Sequence, residues 1–511
     1  MYSSMLSAVV QGLEVTIIRV EMDVSNGLPS FQIVGSASME VKEAGERVRT
    51  AIKNLGYQLP VKKVVGNLTP AQVRKEGVNF DIPIAIAMLG AYGVLSSDEI
   101  KNVLAVGEVG LDGNIRSVKG VLPIVSHGKR NGITKFIVPK ENAKEAAMIE
   151  EVDIFGADNL EQVIQHFLAT PLEKERNHLF QKETSIQNQQ LDYNEINGQE
   201  HVKRAVEIAV AGKHNMLMIG PPGSGKSMIA KRIPTILPEL SMEDSMEISR
   251  IYSIVGLLNN EEPYMSQRPF RNVHHTITKT ALVGGGNLAK PGELSLAHGG
   301  VLFLDELPEF NKSVLEVLRQ PLEDKKIRIV RNKGSYIFPA NVMLVAAMNP
   351  CPCGNYPDLN RCSCTEYDIN RYLSKISQPL LDRIDICVEV PRVKYEVLIG
   401  KKEKKELGTK EMKERILKAM ELQKIRFYNT SIISNEEIPT HLIEKYCALD
   451  TTCKQLMELA YEKLNLTART YYKILKVART IADLEGGDGI HEMHIKEAIG
   501  YRMIDKKYWG R

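Results

Sequence analysis

Hydrophobic and polar residues are distributed in three different ways along this chain. Between residues 194 and 395, short unbroken apolar runs alternate with segments of helical periodicity. That is the pattern of a parallel sheet whose strands are buried on both faces. The clearest runs are residues 216–219, 301–304 and 342–346. From residue 396 to 511 the strand-like runs stop, and Met412, Ile416, Ala419 and Met420 recur at helical spacing. Tyr471, Ile474, Leu475, Ala478, Ile481 and Ala482 form a second such stripe. Residues 1–168 mix the two kinds, with strand-like runs at 13–24, 29–34, 63–68, 103–107 and 135–138 and a helical segment at 39–55. Ser25-Asn26-Gly27-Leu28 predicts a hairpin between the first two runs, because Asn-Gly tolerates positive φ. Residues 169–193 are rich in Glu, Lys, Gln and Asn, cannot bury a core and predict a linker.

Composition changes this picture little. The 511 residues suit three or four folding units, and 43% hydrophobic with 25% charged is ordinary for a globular chain. The 66 Lys+Arg against 63 Asp+Glu leave a net charge of +3, which excludes a polycation or an acidic tail but leaves room for a local basic stripe. Seven cysteines, unevenly placed, do not make a disulfide scaffold. Met1-Tyr2-Ser3-Ser4 lacks the charged start and apolar run of a secretory peptide. The longest apolar stretch, residues 82–95, contains Pro83 and is too short to span a bilayer. The expectation is a cytoplasmic protein without membrane contact.

The chemistry begins at Gly220-Pro221-Pro222-Gly223-Ser224-Gly225-Lys226-Ser227, which fits G-x-x-x-x-G-K-[ST] between a predicted strand and a predicted helix. Glycines there let backbone amides converge on phosphate oxygens at a helix N-terminus. Lys226 would reach the β- and γ-phosphates of ATP, and the Ser227 hydroxyl would ligate Mg2+. The run 301–304 ends in Asp305-Glu306 at the C-terminal edge, where doubly wound sheets bind ligands. Asp305 suits the Mg2+ shell, and Glu306 suits deprotonating the water that attacks the γ-phosphate. A third run leads through Ala347-Met348 to Asn349-Pro350, whose amide is placed to polarise the same water.

Cys351, Cys353, Cys362 and Cys364 put four thiols within residues 351–364, beside Gly354, Asn355 and Pro357. They suit a structural Zn2+ with full thiolate coordination and no open position for water; free structural cysteines are the alternative. Lys325, Lys326, Arg328, Arg331 and Lys333 alternate with Ile327, Ile329 and Val330 ahead of Tyr336-Ile337-Phe338, a hairpin with one charged face. His274-His275 suits a polar or packing role, since adjacent side chains on a regular element diverge. The run Lys401-Lys402-Glu403-Lys404-Lys405-Glu406 reads as a solvated linker or helix face.

The phosphate loop, the Asp-Glu strand and the Asn349 strand together resemble the AAA+ ATPases. The order of motifs over nearly the whole chain is similar to the ComM/YifB family of magnesium-chelatase-like proteins. Segments carrying this are Gly27-Leu28-Pro29-Ser30-Phe31-Gln32-Ile33-Val34-Gly35, Asn67-Leu68-Thr69-Pro70-Ala71, Asn272-Val273-His274-His275-Thr276 and Pro291-Gly292-Glu293-Leu294-Ser295-Leu296-Ala297-His298-Gly299-Gly300. The resemblance implies an N-terminal domain folded like the Lon protease domain (1–168), a linker (169–193), an AAA+ core (194–395) carrying the cysteine insertion, and a helical lid (396–511). It implies that Asn349 is sensor 1, that Arg383 in Leu380-Leu381-Asp382-Arg383-Ile384-Asp385 is an arginine finger supplied in trans, and that Arg469 is sensor 2. A surface ion pair is the alternative for either arginine. A finger in trans requires a homo-oligomeric ring, with a hexamer as the expected size. The basic hairpin then corresponds to one pointing into a helicase pore, its cations tracking phosphates while Tyr336 stacks on a base; a merely solvated hairpin is the alternative.

The implied activity is that of an ATP-driven helicase on single-stranded or branched DNA, promoting branch migration when transforming DNA is integrated. An active Lon-type protease is not expected, because Asn79 stands where the nucleophilic Ser would be and Leu122 where its Lys partner would be. The competing expectation is a chelatase-type ATPase that remodels a protein partner for metal insertion, although no D-x-S-x-S metal-adhesion motif occurs here.

Overall fold

The computed structural model describes residues 1–176, 191–286, 289–331, 334–393 and 407–510. Its first strands, β1 (Tyr2–Gln11) and β2 (Glu14–Ser25), pair antiparallel from Tyr2 with Asp23 to Gln11 with Glu14. Sequence patterning misses β1 because residues 3–9 are buried on both faces and include Ser3, Ser4 and Ser7. Neither alternation nor an unbroken apolar run marks such a strand. The hairpin expected at Ser25-Asn26-Gly27-Leu28 does not form. β3 (Ser30–Val34) pairs parallel with β4 (Lys63–Thr69), and β4 lies antiparallel to β2, so it separates the two. The turn chemistry is legible locally, whereas the pairing partner comes from further along the chain.

β5 (Val103–Ala105), a small ribbon of β6 (Glu108–Val109) with β7 (Ile115–Arg116), and β8 (Lys135–Pro139) and β9 (Asp153–Ala157) follow. The seven-stranded sheet runs β3-β4-β2-β1-β5-β8-β9. The apolar run at 82–95 contains the helix Asp81–Ala91, buried at every residue against β1, β2 and the helix Met39–Asn54. A helix apolar all round belongs in a core. The expected linker is shorter than 169–193. Glu175 donates its amide to Ile154 O at 2.8 Å, so this end belongs to the N-terminal sheet. Tyr193 is fully buried, its hydroxyl donating to Ile229 O at 3.0 Å in the next domain. Residues 177–190 lie outside the described residues, as do 394–406 with the charged run 401–406.

The central sheet uses β10 (Met216–Ile219) and β11 (Phe270–Val273). β12 (Gly284–Gly285) pairs with β13 (Lys290–Pro291) as a short ribbon before β14 (Val301–Leu304). A second ribbon, β15 (Lys326–Arg331) with β16 (Gly334–Pro339), precedes β17 (Met343–Met348) and β18 (Ile386–Glu389). Five strands run parallel in the order β11-β14-β17-β10-β18. β10, β14 and β17 are buried at every residue, which is why they read as unbroken apolar runs. Parallel strands bring their C-terminal ends to one edge, and three motifs follow these three strands.

The C-terminal helices Thr409–Arg426, Thr451–Lys463, Ala468–Leu484 and Glu492–Trp509 do not form a separate core. Met412, Ile416 and Ala478 share one hydrophobic cluster with Met216, Met218 and Val345 of the sheet. The N-terminal domain docks through helix Val121–Arg130 on helix Met242–Val255. Gly120 and Leu122 donate their amides to Ser253 O (2.9 Å) and Ser253 Oγ (3.3 Å), and Arg250 donates to Ser126 Oγ at 2.7 Å. Leu122 is thus a buried part of this junction. Among the described residues no helix is long and apolar enough to cross a membrane.

Candidate functional site

β10 ends at Ile219 and the chain turns through Gly220, Pro221, Pro222, Gly223 and Ser224 into helix Lys226–Ile236. Gly225 caps that helix at φ +94°, a conformation open to glycine at no steric cost. Lys226 Nζ donates to Gly220 O (2.8 Å), Pro221 O (3.0 Å) and Asn349 Oδ1 (3.2 Å). Burial lowers its pKa, with Asp305 and Glu306 opposing. Ser227 Oγ donates to Asp305 Oδ2 at 2.6 Å. Ser224 Oγ is buried and has no hydrogen-bond partner among the described residues. The expected Lys226, Ser227, Asp305, Glu306 and Asn349 therefore meet at one edge of the sheet. They fit Mg-ATP: an ammonium held only by neutral acceptors, an orphaned hydroxyl in the loop, and a hydroxyl–carboxylate pair of hard oxygens.

Glu306 sits at φ +53° with its side chain largely exposed, and His275 Nδ1 lies 3.6 Å from its Oε2. The rings of His274 and His275 do not diverge. Their centroids are 4.1 Å apart, because the two residues follow the end of β11 and leave the extended backbone. His275 is thus a neighbour of the candidate base that sequence reasoning assigned no such place.

Arg383 and Arg469 meet elsewhere. Arg383 Nη2 donates to Glu323 Oε2 at 2.5 Å, and Arg469 Nη2 donates to Glu323 Oε1 at 3.3 Å. Backbone acceptors at Arg319 O (2.7 Å) and Pro379 O (2.6 Å) fix the Arg383 guanidinium further. Both arginines line a cavity of about 260 Å³ with Glu323, Asn215, Lys473 and Lys476. Asn215 Nδ2 donates to Arg383 O at 2.9 Å, immediately before β10 begins. At about 3.3 Å per residue, Asn215 and Gly220 stand roughly 17 Å apart along that strand. The two arginines are thus at the opposite end of β10 from their own phosphate loop, beyond the reach of an arginine side chain. Glu323, which joins them, carries no sequence signal, since its partners lie 60 and 146 positions away. Beneath them Asp385 accepts from Lys473 Nζ at 2.7 Å and from the Asn215 amide at 2.9 Å. Burial pushes the Asp385 carboxyl up, but the Lys473 ammonium and His214 hold it down at about 2.

The four cysteines converge. All four sulfurs lie within 4.8 Å of one another, with Cys351–Cys353 at 3.4 Å, Cys353–Cys362 at 3.5 Å and Cys351–Cys362 at 3.7 Å. A tetrahedral ion with metal–sulfur bonds of about 2.3 Å needs sulfurs about 3.8 Å apart. The amides of Tyr356 and Cys353 point at Cys351 Sγ and Cys364 Sγ, each at 3.4 Å, as donors to thiolates do. Zn2+ fits this set of donors.

The basic ribbon forms, with Ile327 and Ile329 buried and Lys326, Arg328 and Arg331 exposed. Its cations are not all free. Lys325 pairs with Glu436 at 3.1 Å, and Arg331 Nε donates to Gly286 O at 3.4 Å beside the β12–β13 ribbon. Tyr336 is half-buried against the β1–β2 turn: a Cβ at Gly12 would lie 3.0 Å from its Cδ1. One side of its ring thus packs against the N-terminal domain, while the residue stays half-exposed. Lys333 lies outside the described residues.

A parallel five-stranded core with this phosphate loop, acidic strand end and helical C-terminal region defines an AAA+ ATPase of the magnesium-chelatase type. Family models agree: "Magnesium chelatase, subunit ChlI" matches residues 192–398, "Subunit ChlI of Mg-chelatase" residues 20–142, and "Magnesium chelatase, subunit ChlI C-terminal" residues 406–502. The chain is 41% identical over 503 residues to the competence protein ComM of Haemophilus influenzae, covering 96% of each chain. It is 40% identical over 500 residues to the uncharacterised protein YifB of Salmonella typhimurium, covering 97% of this chain and 96% of that one. A shorter match, 28% identical over 153 residues, joins it to the Holliday junction branch migration complex subunit RuvB of Thermosipho melanesiensis, covering 28% of this chain and 36% of RuvB. The chain belongs to the ComM/YifB family of magnesium-chelatase-like AAA+ ATPases.

Proposed function

We propose that the protein is a ring-forming motor that hydrolyses ATP to move single-stranded or branched DNA, with helicase or branch-migration activity serving the integration of transforming or recombining DNA. The carrying observation is the separation of the two charged groups of residues along β10. A phosphate loop at one end and two arginines at the other would let neighbouring subunits complete each other's sites. This favours a homo-oligomeric ring, a hexamer by family resemblance.

On binding ATP, the amides of residues 223–227 face the phosphates, and Lys226 exchanges its carbonyl partners for phosphate oxygens. Ser227 and Asp305 would hold Mg2+, which would supply charge neutralisation at the phosphates. Glu306 accepts the proton of the attacking water, and Asn349 orients that water. Arg383 from the adjacent subunit, released from Glu323, faces the charge that develops on the transferring phosphoryl group, with Arg469 beside it. Cys351, Cys353, Cys362 and Cys364 would hold Zn2+ in a structural role, with every thiolate engaged.

DNA as the substrate rests on the exposed Lys326, Arg328 and Arg331 of the ribbon, on the competence role in ComM's name and on branch migration in RuvB's. Strand displacement on forked and three-stranded DNA tests it. Activity should require ATP and vanish in Glu306→Gln, which still binds nucleotide. No activity on any branched substrate would sink the motor reading. ATPase stimulated by a protein partner but never by DNA would favour a chelatase-type remodeller.

A further inference from the structure

The four-cysteine knot does not stand apart from the ATP site. Cys351 follows Asn349-Pro350 directly at the end of β17, and Gly220 donates its amide to Met348 O at 3.1 Å, tying the phosphate loop to the same strand end. On its other side the knot lies against the loop itself. Gly354, held by its amide to Cys351 O at 3.0 Å, sits at φ +79°, and a Cβ there would come within 2.3 Å of Pro222 Cδ. Backbone this close to a proline ring allows only glycine. Asn355 extends the clamp: its Oδ1 accepts from Arg392 Nη2 at 3.1 Å and its Nδ2 donates to Cys353 O at 3.3 Å. Arg392 follows β18, the strand beside β10. Three ties thus run from the cysteines to the loop or its flanking strands, and the turn bearing Gly354 contains Cys351 and Cys353, whose sulfurs converge with that of Cys362.

We propose that a zinc ion held by Cys351, Cys353, Cys362 and Cys364 braces the phosphate loop through the Gly354–Pro222 contact, so that nucleotide affinity depends on metal occupancy. This rests on residues 220–227 being the ATP site and on the cysteines taking zinc. Without the metal the cysteines take up protons and lose the bonds that hold them together, which frees Gly354 to move off Pro222. The loop amides that must converge on phosphate then lose the wall they stand against, and ordering them falls to the nucleotide. Coupling is reciprocal, so bound nucleotide holds zinc more tightly by the same factor.

The test uses the full chain with three readouts: zinc per chain by elemental analysis, affinity for a fluorescent ATP analogue, and folding by circular dichroism. The protein as isolated should hold one zinc. Stripping it with a chelator should weaken analogue binding about tenfold, and added zinc should restore it. Saturating nucleotide should slow zinc release to a zinc-sensitive dye. Gly354→Ala should keep its zinc yet bind the analogue several-fold more weakly. If that change disturbs the knot, Pro222→Ala tests the contact from the other side, and in it zinc removal should alter affinity less than about twofold. Metal-free, folded protein that binds the analogue unchanged overturns the coupling. No zinc uptake at all overturns the metal site. Unaltered analogue binding in Lys226→Ala overturns instead the assignment of the ATP site.

Discussion

The two ends of β10 solve different problems. At its C-terminal end Lys226 and Ser227, at the start of a helix, are bonded to Asn349 and Asp305 respectively, which follow adjacent buried strands. Little has to move for that end to receive a nucleotide. At its N-terminal end two arginines are joined by one largely exposed carboxylate, Glu323, at a cavity lined by Asn215, Lys473 and Lys476 and not by the phosphate loop. That end is engaged internally, both of its arginines being bonded to Glu323. On the proposed reading the cradle and this pair of cations come from neighbouring subunits and complete one site.

Removing a cation should have the largest effect. Arg383→Ala should lower the ATPase rate of the assembled protein by a factor on the order of 10³ while leaving nucleotide affinity of the isolated subunit unchanged. Equal loss of affinity and rate would place Arg383 in a structural role instead. Next in size is the floor of the arginine end. Asp385 is buried and its pKa is held near 2 against an ordinary 3.8 by Lys473 and His214. Its contribution is therefore complete above about pH 4 and disappears as the pH falls through about 2. Asp385→Asn should destabilise the fold at neutral pH by about 3 kcal/mol, because it leaves Lys473 buried without its counter-ion. Acid titration of Asp385→Asn should lose stability less steeply between pH 4 and 2, and an unchanged acid limb would mean the pair carries no charge. The smallest effect belongs to Glu323. Exposed ion pairs contribute up to about 1 kcal/mol, so Glu323→Gln should raise ATPase at subsaturating protein concentration by no more than about fivefold. A fall in rate would make Glu323 a support for the finger rather than a restraint on it.

The same contrast explains what the sequence discloses. The cradle is legible because β10, β14 and β17 are buried on both faces and read as apolar runs, each followed at once by its motif. The arginine end is legible only one residue at a time, since Arg383, Glu323 and Arg469 meet across long separations. Its position at the far end of β10 follows from strand order, and strand order has no local signature. Likewise, the turn at Ser25-Asn26-Gly27-Leu28 announces a reversal without saying that β4 intervenes between β2 and β3. Basic and apolar positions of the β15–β16 ribbon alternate as expected, but nothing in them discloses that Gly12 of a distant turn packs against Tyr336. Four cysteines signal a metal by their spacing, while the approach of Gly354 in their turn to Pro222 depends on where β17 ends.

Shared sites between subunits are the central claim, and mixing two inactive proteins tests it most directly. Lys226→Ala lacks a working cradle and Arg383→Ala lacks a working finger, so each alone should show background ATPase. In rings formed from equal amounts of both, about a quarter of the junctions join an intact cradle to an intact finger, and about a quarter of the wild-type rate should return. A mixture that stays at background after confirmed co-assembly would contradict completion of one subunit's site by its neighbour.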